Sequence, residues 1–174
     1  MKKETLMSEK EVVLTLERIA QEVKRKETPG EPFYLVGIHT RGIPLARRMA
    51  QLLQRDPEQI GTLDINLYRD DLSTAAEMPI LKETKVPFDI HGKRILLIDD
   101  VLYTGRTIRS ALDALIDLGR PKGIMLLVFV DRGGRELPIQ ADFCGQRVEV
   151  GPKDNVKVRL QEVDGYDALE VLRA

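Results

Sequence analysis

The sequence predicts an α/β domain with a parallel central sheet flanked by helices. Apolar runs of strand length stand at Phe33–Ile38, Ile95–Ile98 and Ile124–Val130, continuous rather than alternating, as expected of strands covered on both faces. Helical apolar stripes separate them. The order strand, helix, strand, helix, strand then favours parallel pairing through crossover connections.

Each element has a local cause. Ser8-Glu9-Lys10-Glu11 has the spacing of a capping box. Val12, Leu16, Ile19, Ala20 and Val23 follow on one helical face, so a helix is predicted from about Ser8 to Lys26. Thr28-Pro29-Gly30-Glu31-Pro32 ends it, Phe33–Ile38 is the first buried strand, and His39-Thr40-Arg41-Gly42 is a polar loop. Pro44 suits the first turn of the next helix, whose stripe is Leu45, Met49, Leu52 and Leu53. Thr62 to Tyr68 reads as a second strand. The long, polar, weakly patterned stretch from Arg69 to Gly92, with Pro79 and Pro87, is a functional flap or a disordered segment. After Ile95–Ile98, the residues Ile108, Ala111, Leu112 and Leu115 mark a helix that Gly119-Arg120-Pro121 stops. Ile124–Val130 is the next strand. Phe143–Val150 and Val156–Leu160 are β-like, and a last turn of helix is expected near Tyr166–Leu172.

Composition narrows the function classes. A chain of 174 residues suits one domain. Its net charge of -1 supplies no global basic field for nucleic acid, although a local patch remains open. The one cysteine, Cys144, has no intrachain disulfide partner and no companions for a zinc site, and is expected to be a small packed residue. With neither a signal peptide nor a membrane-length apolar run, the expected location is the cytoplasm.

The most informative stretch runs from Arg94 to Thr107. The apolar run Ile95–Ile98 ends in Asp99 and Asp100, and Thr104-Gly105-Arg106-Thr107 opens the following helix. Ligands of open α/β sheets sit at the carboxyl ends of strands, and a helix N-terminus favours an anion. Gly105 allows close backbone approach, and the Thr104 and Thr107 hydroxyls add donors. Two carboxylates repel a phosphate placed directly on them. A sugar's width away they accept hydrogen bonds from ribose hydroxyls or help place a hydrated magnesium ion. A ribose 5-phosphate reconciles both parts. The plain alternative is that Asp99 and Asp100 cap a helix or close a turn, and acid pairs after strands also serve metal-dependent phosphotransfer. Neither accounts for the Thr-Gly-Arg-Thr loop beyond them, and no Walker loop or Gly-x-Gly-x-x-Gly helix opening occurs.

Ile95 to Thr107 closely resembles the phosphoribosyl-pyrophosphate signature of type I phosphoribosyltransferases. Val36–Gly42, Leu67–Ser73 and Val130–Ile139, the last containing Asp131-Arg132-Gly133-Gly134-Arg135-Glu136-Leu137-Pro138, resemble one branch, the bifunctional pyrimidine-operon attenuators with uracil phosphoribosyltransferase activity. The likeness extends from Arg18 to Glu162-Val163-Asp164. It implies a type I phosphoribosyltransferase fold across residues 1–174, with a flexible hood over about 69–92. It also implies attack of a uracil nitrogen on C1 of phosphoribosyl pyrophosphate, giving UMP and pyrophosphate, with Mg2+ held mainly by substrate and no direct protein ligand assigned.

The resemblance also distributes the residues. Asp99, Asp100 and Arg41 are the expected catalytic group, and Asp99, Asp100, Tyr103, Thr104, Gly105, Arg106 and Thr107 would hold the ribose and its 5'-phosphate. His39, Thr40, Arg41 and Gly42 would hold pyrophosphate, with the Thr40–Arg41 peptide cis and a charged His39 able to help. A polar turn before a helix is the plain reading of that loop. Arg69, Asp70 and Asp71 belong to the hood, and Val130, Asp131 and Arg132 to the uracil edge. Purine-using members commonly carry a carboxylate where this chain has Tyr103, whose neutral phenol supports a pyrimidine base and leaves no obvious general base.

The branch's second activity is UMP-dependent binding of a messenger RNA leader hairpin. Such binding depends on cations that neutralise phosphates. Arg18, Arg135 and Arg147 remain basic here, but Glu17, Gln21, Gly134, Gln140 and Gln146 depart from the usual residues, as does Gly151–Val156. Catalysis therefore ranks above RNA attenuation. A homodimer or higher homo-oligomer is implied, and no membrane association.

Overall fold

The computed structural model describes residues 2–65 and 84–174. Arg69, Asp70 and Asp71 lie outside the described residues; the strand expected over Thr62 to Tyr68 spans Gly61–Leu63 and has ended before Asp64 and Ile65, with 66–68 outside the described residues. In chain order the elements are β1 (Lys2–Met7), α1 (Glu9–Lys26), β2 (Phe33–Ile38), α2 (Gly42–Leu52), a 3-10 turn (Pro57–Gln59), β3 (Gly61–Leu63), β4 (Arg94–Leu102), α3 (Arg106–Leu118), β5 (Gly123–Asp131), β6 (Phe143–Arg147), β7 (Asn155–Arg159), α4 (Gln161–Asp164) and β8 (Ala168–Arg173). Among the described residues no helix is long and apolar enough to cross a membrane.

The central sheet has the order β3-β2-β4-β5-β6, and every pairing in it is parallel. One apolar cluster joins α1 and α2 to one face, through Val12, Leu16, Ile19, Leu45 and Met49. The other lies under α3, through Ile108, Ala111 and Leu115. At α1 the Ser8 N–H donates to Glu11 Oε2 at 2.7 Å, the reciprocal half of the capping box that the sequence predicts.

Adjacent strands β2 and β4 send their helices to opposite faces, and the chain then proceeds towards opposite edges of the sheet. Their carboxyl ends therefore flank a crevice of the kind in which α/β sheets bind ligands. Strand β4 is longer than expected. Its pairing with β2 ends at Gly37 and Ile98, while pairing with β5 continues through Asp99–Val128, Val101–Val130 and Leu102–Asp131. Asp99 and Asp100 thus lie within a strand whose β2 side has become free.

The expected helical turn near Tyr166–Leu172 is instead β8, the middle strand of an antiparallel sheet ordered β1-β8-β7. Pairing on both edges is the physical reason: every residue from Ala168 to Val171 is buried, which suits a central strand. Buried Glu170 is compensated by Lys3 Nζ at 2.5 Å, Arg159 Nε at 3.2 Å and the Tyr166 hydroxyl at 3.1 Å. The polar segment Lys2–Met7 carried no strand signal, and it becomes ordered by pairing with β8.

Candidate active site

Two glycines bring the β2–α2 loop against β4. A side chain at Gly37 would place its Cβ 2.5 Å from the Gly42 carbonyl, and one at Gly42 would collide with the Ile98 carbonyl. Only hydrogen fits at either place. The loop therefore arrives beside the acid pair, and the His39 N–H donates to Leu63 O at 2.9 Å. The cis peptide is His39–Thr40, one bond earlier than expected. Arg41 already has helical dihedrals, φ -85° and ψ -21°, and its carbonyl accepts from the Leu45 N–H at 3.3 Å.

Arg41 does not stand free in the loop. Its Nη2 and Nε donate to the two oxygens of Asp164 at 2.7 and 3.1 Å. Arg159 adds a bond at 2.9 Å and the Leu160 N–H another at 3.0 Å. Burial pushes the Asp164 carboxyl up, but hydrogen bonds from Arg41, the Leu160 N–H and Arg159 outweigh it and hold the group far below the usual carboxylate range. The bond to Asp164, with a smaller contribution from the negative charge of Asp100, holds the Arg41 guanidinium more firmly protonated. The sequence stretch Glu162-Val163-Asp164 carried the family likeness, but nothing in it announced Asp164 as the partner of Arg41.

Asp99 and Asp100 are inequivalent. The Asp99 side chain is buried and accepts the Asp100 N–H at 2.9 Å. Burial first, and the neighbouring Asp100 charge second, push its pKa well above the ordinary value. Alternation along a strand turns Asp100 to the other face, where it is half-buried.

Beyond Leu102 the chain turns through Tyr103 and Thr104 to Gly105, which precedes α3 with φ +94°. The Arg106 N–H donates to Thr104 Oγ1 at 3.3 Å, and the Thr104 carbonyl accepts from the Glu136 and Leu137 N–H groups at 2.9 and 3.1 Å. Arg106 Nε reaches Glu136 at 2.6 Å, and Thr107 is exposed in the first turn. A Cβ at Gly105 would point at Leu137 and Ile139, 3.4 Å away. The left-handed backbone favours glycine here, and the residue packs against the 137–139 segment.

At the end of β5, Val130 is fully buried in the core. Asp131 accepts from the Gly133 N–H at 2.9 Å and from Arg135 at 2.6 Å. Burial raises its pKa, but these two bonds outweigh it, so the carboxyl lies below its ordinary value. Arg132 stacks on Tyr103, with Cζ 3.9 Å from the ring centroid.

The three arginines expected to face RNA differ in how they are engaged. Arg135 donates to Asp131, to Tyr103 O at 2.8 Å and to Ile139 O at 2.8 Å. Arg18 bonds Glu22 and the Gly145 carbonyl. Arg147 lines an open cavity of roughly 560 Å³ with Arg132, Gln140 and Glu149.

An acid pair inside a strand, a helix-opening Thr-Gly-Arg-Thr loop and an arginine loop meeting at one crevice define a phosphoribosyltransferase class of site. Residues 3–161 match the family model described as phosphoribosyl transferase domain. Proteins named bifunctional protein PyrR are similar over almost the whole chain. The one from Deinococcus radiodurans is 53% identical over 172 residues, 97% of this chain and 94% of that protein. The Thermus aquaticus protein is also 53% identical, with 97% and 95% covered, and that of Clostridium novyi is 46% identical, with 97% of both covered. A crystal structure of a Bacillus anthracis hypoxanthine-guanine phosphoribosyltransferase superposes with a TM-score of 0.72 over 98% of both chains, at 18% identity, a likeness of fold. The chain belongs to the PyrR family of type I phosphoribosyltransferases. It is an enzyme of the transferase class within a pyrimidine-regulator family.

Proposed function

We propose that the chain transfers the phosphoribosyl group of phosphoribosyl pyrophosphate to uracil, giving UMP and pyrophosphate. The bond from C1 to the pyrophosphate oxygen breaks, a bond from C1 to N1 of uracil forms, and the N1 proton leaves. The observation that carries this reading is the convergence of Asp99–Asp100, the Thr104–Thr107 helix opening and the His39–Gly42 loop at the carboxyl ends of β4 and β2. The 5'-phosphate would sit on the N–H groups of Gly105, Arg106 and Thr107, with the Thr104 and Thr107 hydroxyls beside them. Asp100, the more exposed acid, would accept the ribose hydroxyls, and Asp99 would hold Asp100 in place by accepting its N–H.

Negative charge grows on the departing pyrophosphate, and fixed donors aimed at that charge lower the barrier. The His39–Gly42 N–H groups and Arg41 would supply them, Asp164 fixing the angle of the guanidinium. Arg132 and the main chain after Val130 would meet the uracil edge, and Tyr103 would close the sugar side. Arg69, Asp70 and Asp71 would belong to a hood that excludes water from the activated sugar. Among the described residues no cluster of three or more metal-ligating side chains occurs. Asp99 and Asp100 would help place a hydrated Mg2+ ion held mainly by substrate oxygens; when bound it would neutralise phosphate charge. A homodimer or larger homo-oligomer is proposed on the family resemblance. A cytoplasmic location fits a charged sugar phosphate that does not cross lipid unaided.

RNA attenuation ranks second because Arg18 and Arg135 are committed to their own chain. Incubation with uracil, phosphoribosyl pyrophosphate and magnesium should yield UMP; turnover of hypoxanthine, guanine or orotate alone would overturn the uracil reading. Titration of a pyrimidine-leader hairpin with and without UMP tests the second activity. Tight, UMP-dependent and salt-sensitive binding would reverse the ranking.

A further inference from the structure

Two neighbouring glycines after β5 make the same demand on the backbone and opposite demands on space. Gly133 has φ +69° and Gly134 φ +71°, both in the left-handed region that side chains rarely adopt. A Cβ added at Gly133 meets nothing within 4 Å. One added at Gly134 would stand 2.5 Å from Cε2 and 3.0 Å from Cδ2 of Tyr103. A side chain at residue 134 would therefore have to displace the Tyr103 ring from the position it holds here.

That ring is the platform for Arg132. The guanidinium lies over it at 3.9 Å, Nη1 donates to Asp154 O at 3.1 Å and Nη2 to Gly151 O at 3.4 Å. Among the described residues its buried Nε has no acceptor. No carboxylate is among these anchors, so one aromatic face and two main-chain carbonyls set where the charge stands. Tyr103 also ties this assembly to the phosphate loop. Its carbonyl accepts from Arg135 at 2.8 Å, the Leu102 carbonyl accepts the Arg132 N–H at 3.1 Å, and Thr104 and Gly105 follow directly in sequence.

We propose that Tyr103 is a positioning residue that sets Arg132 against the pyrimidine base, and that Gly134 determines base affinity by leaving room for the ring. This rests on the reading that Arg132 lies at the uracil edge. The role of Tyr103 is thereby more than closing the sugar side. It couples the base side of the crevice to the phosphate side through one ring, and Gly134 is the residue that permits the coupling.

The matched glycines provide the test. Gly133→Ala and Gly134→Ala impose the same backbone strain, and only the second displaces the ring. Gly134→Ala should raise the KM for uracil roughly tenfold, with kcat and the KM for phosphoribosyl pyrophosphate within about twofold. Gly133→Ala should stay within about twofold on all three. Tyr103→Phe keeps the ring, so its uracil KM should lie well below that of Tyr103→Ala, which should resemble Gly134→Ala. The double variant Tyr103→Ala/Gly134→Ala should be no worse than Tyr103→Ala alone, because the clash has already gone. Melting temperatures run in parallel should follow the same cycle: Gly134→Ala falls further than Gly133→Ala, and the excess vanishes when Tyr103 is alanine. Equal uracil KM values for the two glycine variants, or additive effects in the double variant, would overturn the proposal. Absence of UMP synthesis in the unmodified enzyme would sink the uracil reading separately. The melting cycle would then decide the ring placement, and without base recognition to serve, the assignment to Arg132 would fall with that reading.

Discussion

Replacing Asp164 with asparagine removes one negative charge from a place where two guanidinium groups meet. The Asp164 side chain is 8% exposed, that of Arg41 29% and that of Arg159 23%. Deleting one partner of a fully buried pair costs about 3–5 kcal/mol. Water reaches both arginines here, and asparagine keeps one acceptor oxygen, which together reduce the expected loss to about 2–3 kcal/mol. For a chain of this length each kcal/mol moves the melting temperature by about 2–4 °C, so Asp164→Asn should melt roughly 5–10 °C lower. Arg41 would also lose its two-point hold, and misplacement of a charge-stabilising group by about 1 Å can cost on the order of 100-fold in rate. The drop in kcat/KM for phosphoribosyl pyrophosphate should therefore exceed any drop for uracil.

The pH dependence separates this ion network from simple packing. The folded-state pKa of Asp164 is far below its unfolded value, so its contribution is fully present above about pH 4 and is lost as pH falls through the folded value. Urea melts from pH 8 down to pH 3 should show a constant gap between the natural protein and Asp164→Asn in the neutral range, narrowing below about pH 4. A gap that stays the same at pH 3, or a melting difference under about 2 °C at pH 7, would refute the assignment of Arg41 to this carboxylate.

Four further variants probe the crevice. Asp99 has the opposite sign to Asp164: its folded pKa is raised, so its contribution is complete below about pH 4 and is lost as pH rises towards the folded value. Asp99→Asn should match or exceed the natural protein in stability at pH 7 and lose that advantage near pH 4, whereas Asp100→Asn should lower turnover by about 100-fold or more; a destabilised Asp99→Asn at pH 7 would contradict the raised pKa of the buried carboxyl. Gly42→Ala drives a Cβ into the Ile98 carbonyl, a backbone group that cannot step aside, so a loss of about 1–3 kcal/mol with weakened phosphoribosyl pyrophosphate binding is expected by denaturation and kinetics. Gly105→Val should act through backbone strain and displacement of Leu137 and Ile139, lowering the melting temperature as well as phosphate affinity; normal stability with lost phosphate binding would show that the side chain enters the cradle instead.

The parts of the molecule legible in the sequence are those set by local rules. Phe33–Ile38 and the helix beginning after Ser8 follow from apolar pattern and capping, and the structure places them at Phe33–Ile38 and Glu9–Lys26. The strand bearing the acids is legible but runs longer than its apolar pattern, because Asp99 and Asp100 interrupt that pattern while the hydrogen bonds to β5 continue beneath them. Lys2–Met7 and Ala168–Arg173 leave no strand signal in the sequence, because pairing between these two distant segments is what makes them strands. The site divides in the same way. Asp99, Asp100 and Thr104–Thr107 are contiguous and were legible, whereas the Arg41–Asp164 pair spans 123 positions and leaves no local signal.

The same distinction bears on the two activities of the family. A chemical site built within one strand and its following loop persists as long as that segment does. An RNA surface depends on which arginines the rest of the fold leaves free, and that is a tertiary property. Arg135 looks basic in sequence but is engaged by Asp131 and the carbonyls of Tyr103 and Ile139, so its charge serves the loop that carries Arg132. Arg18 is similarly drawn to Glu22 and the β6 carbonyls. To bind phosphate with either residue, the chain would have to give up bonds that shape its own surface, at a net cost of about 0.5–1.5 kcal/mol for each neutral bond and more for each ionic one. Arg147 instead lines the open cavity beside Arg132, Gln140 and Glu149, which makes it the position where a charge reversal should discriminate RNA binding from catalysis.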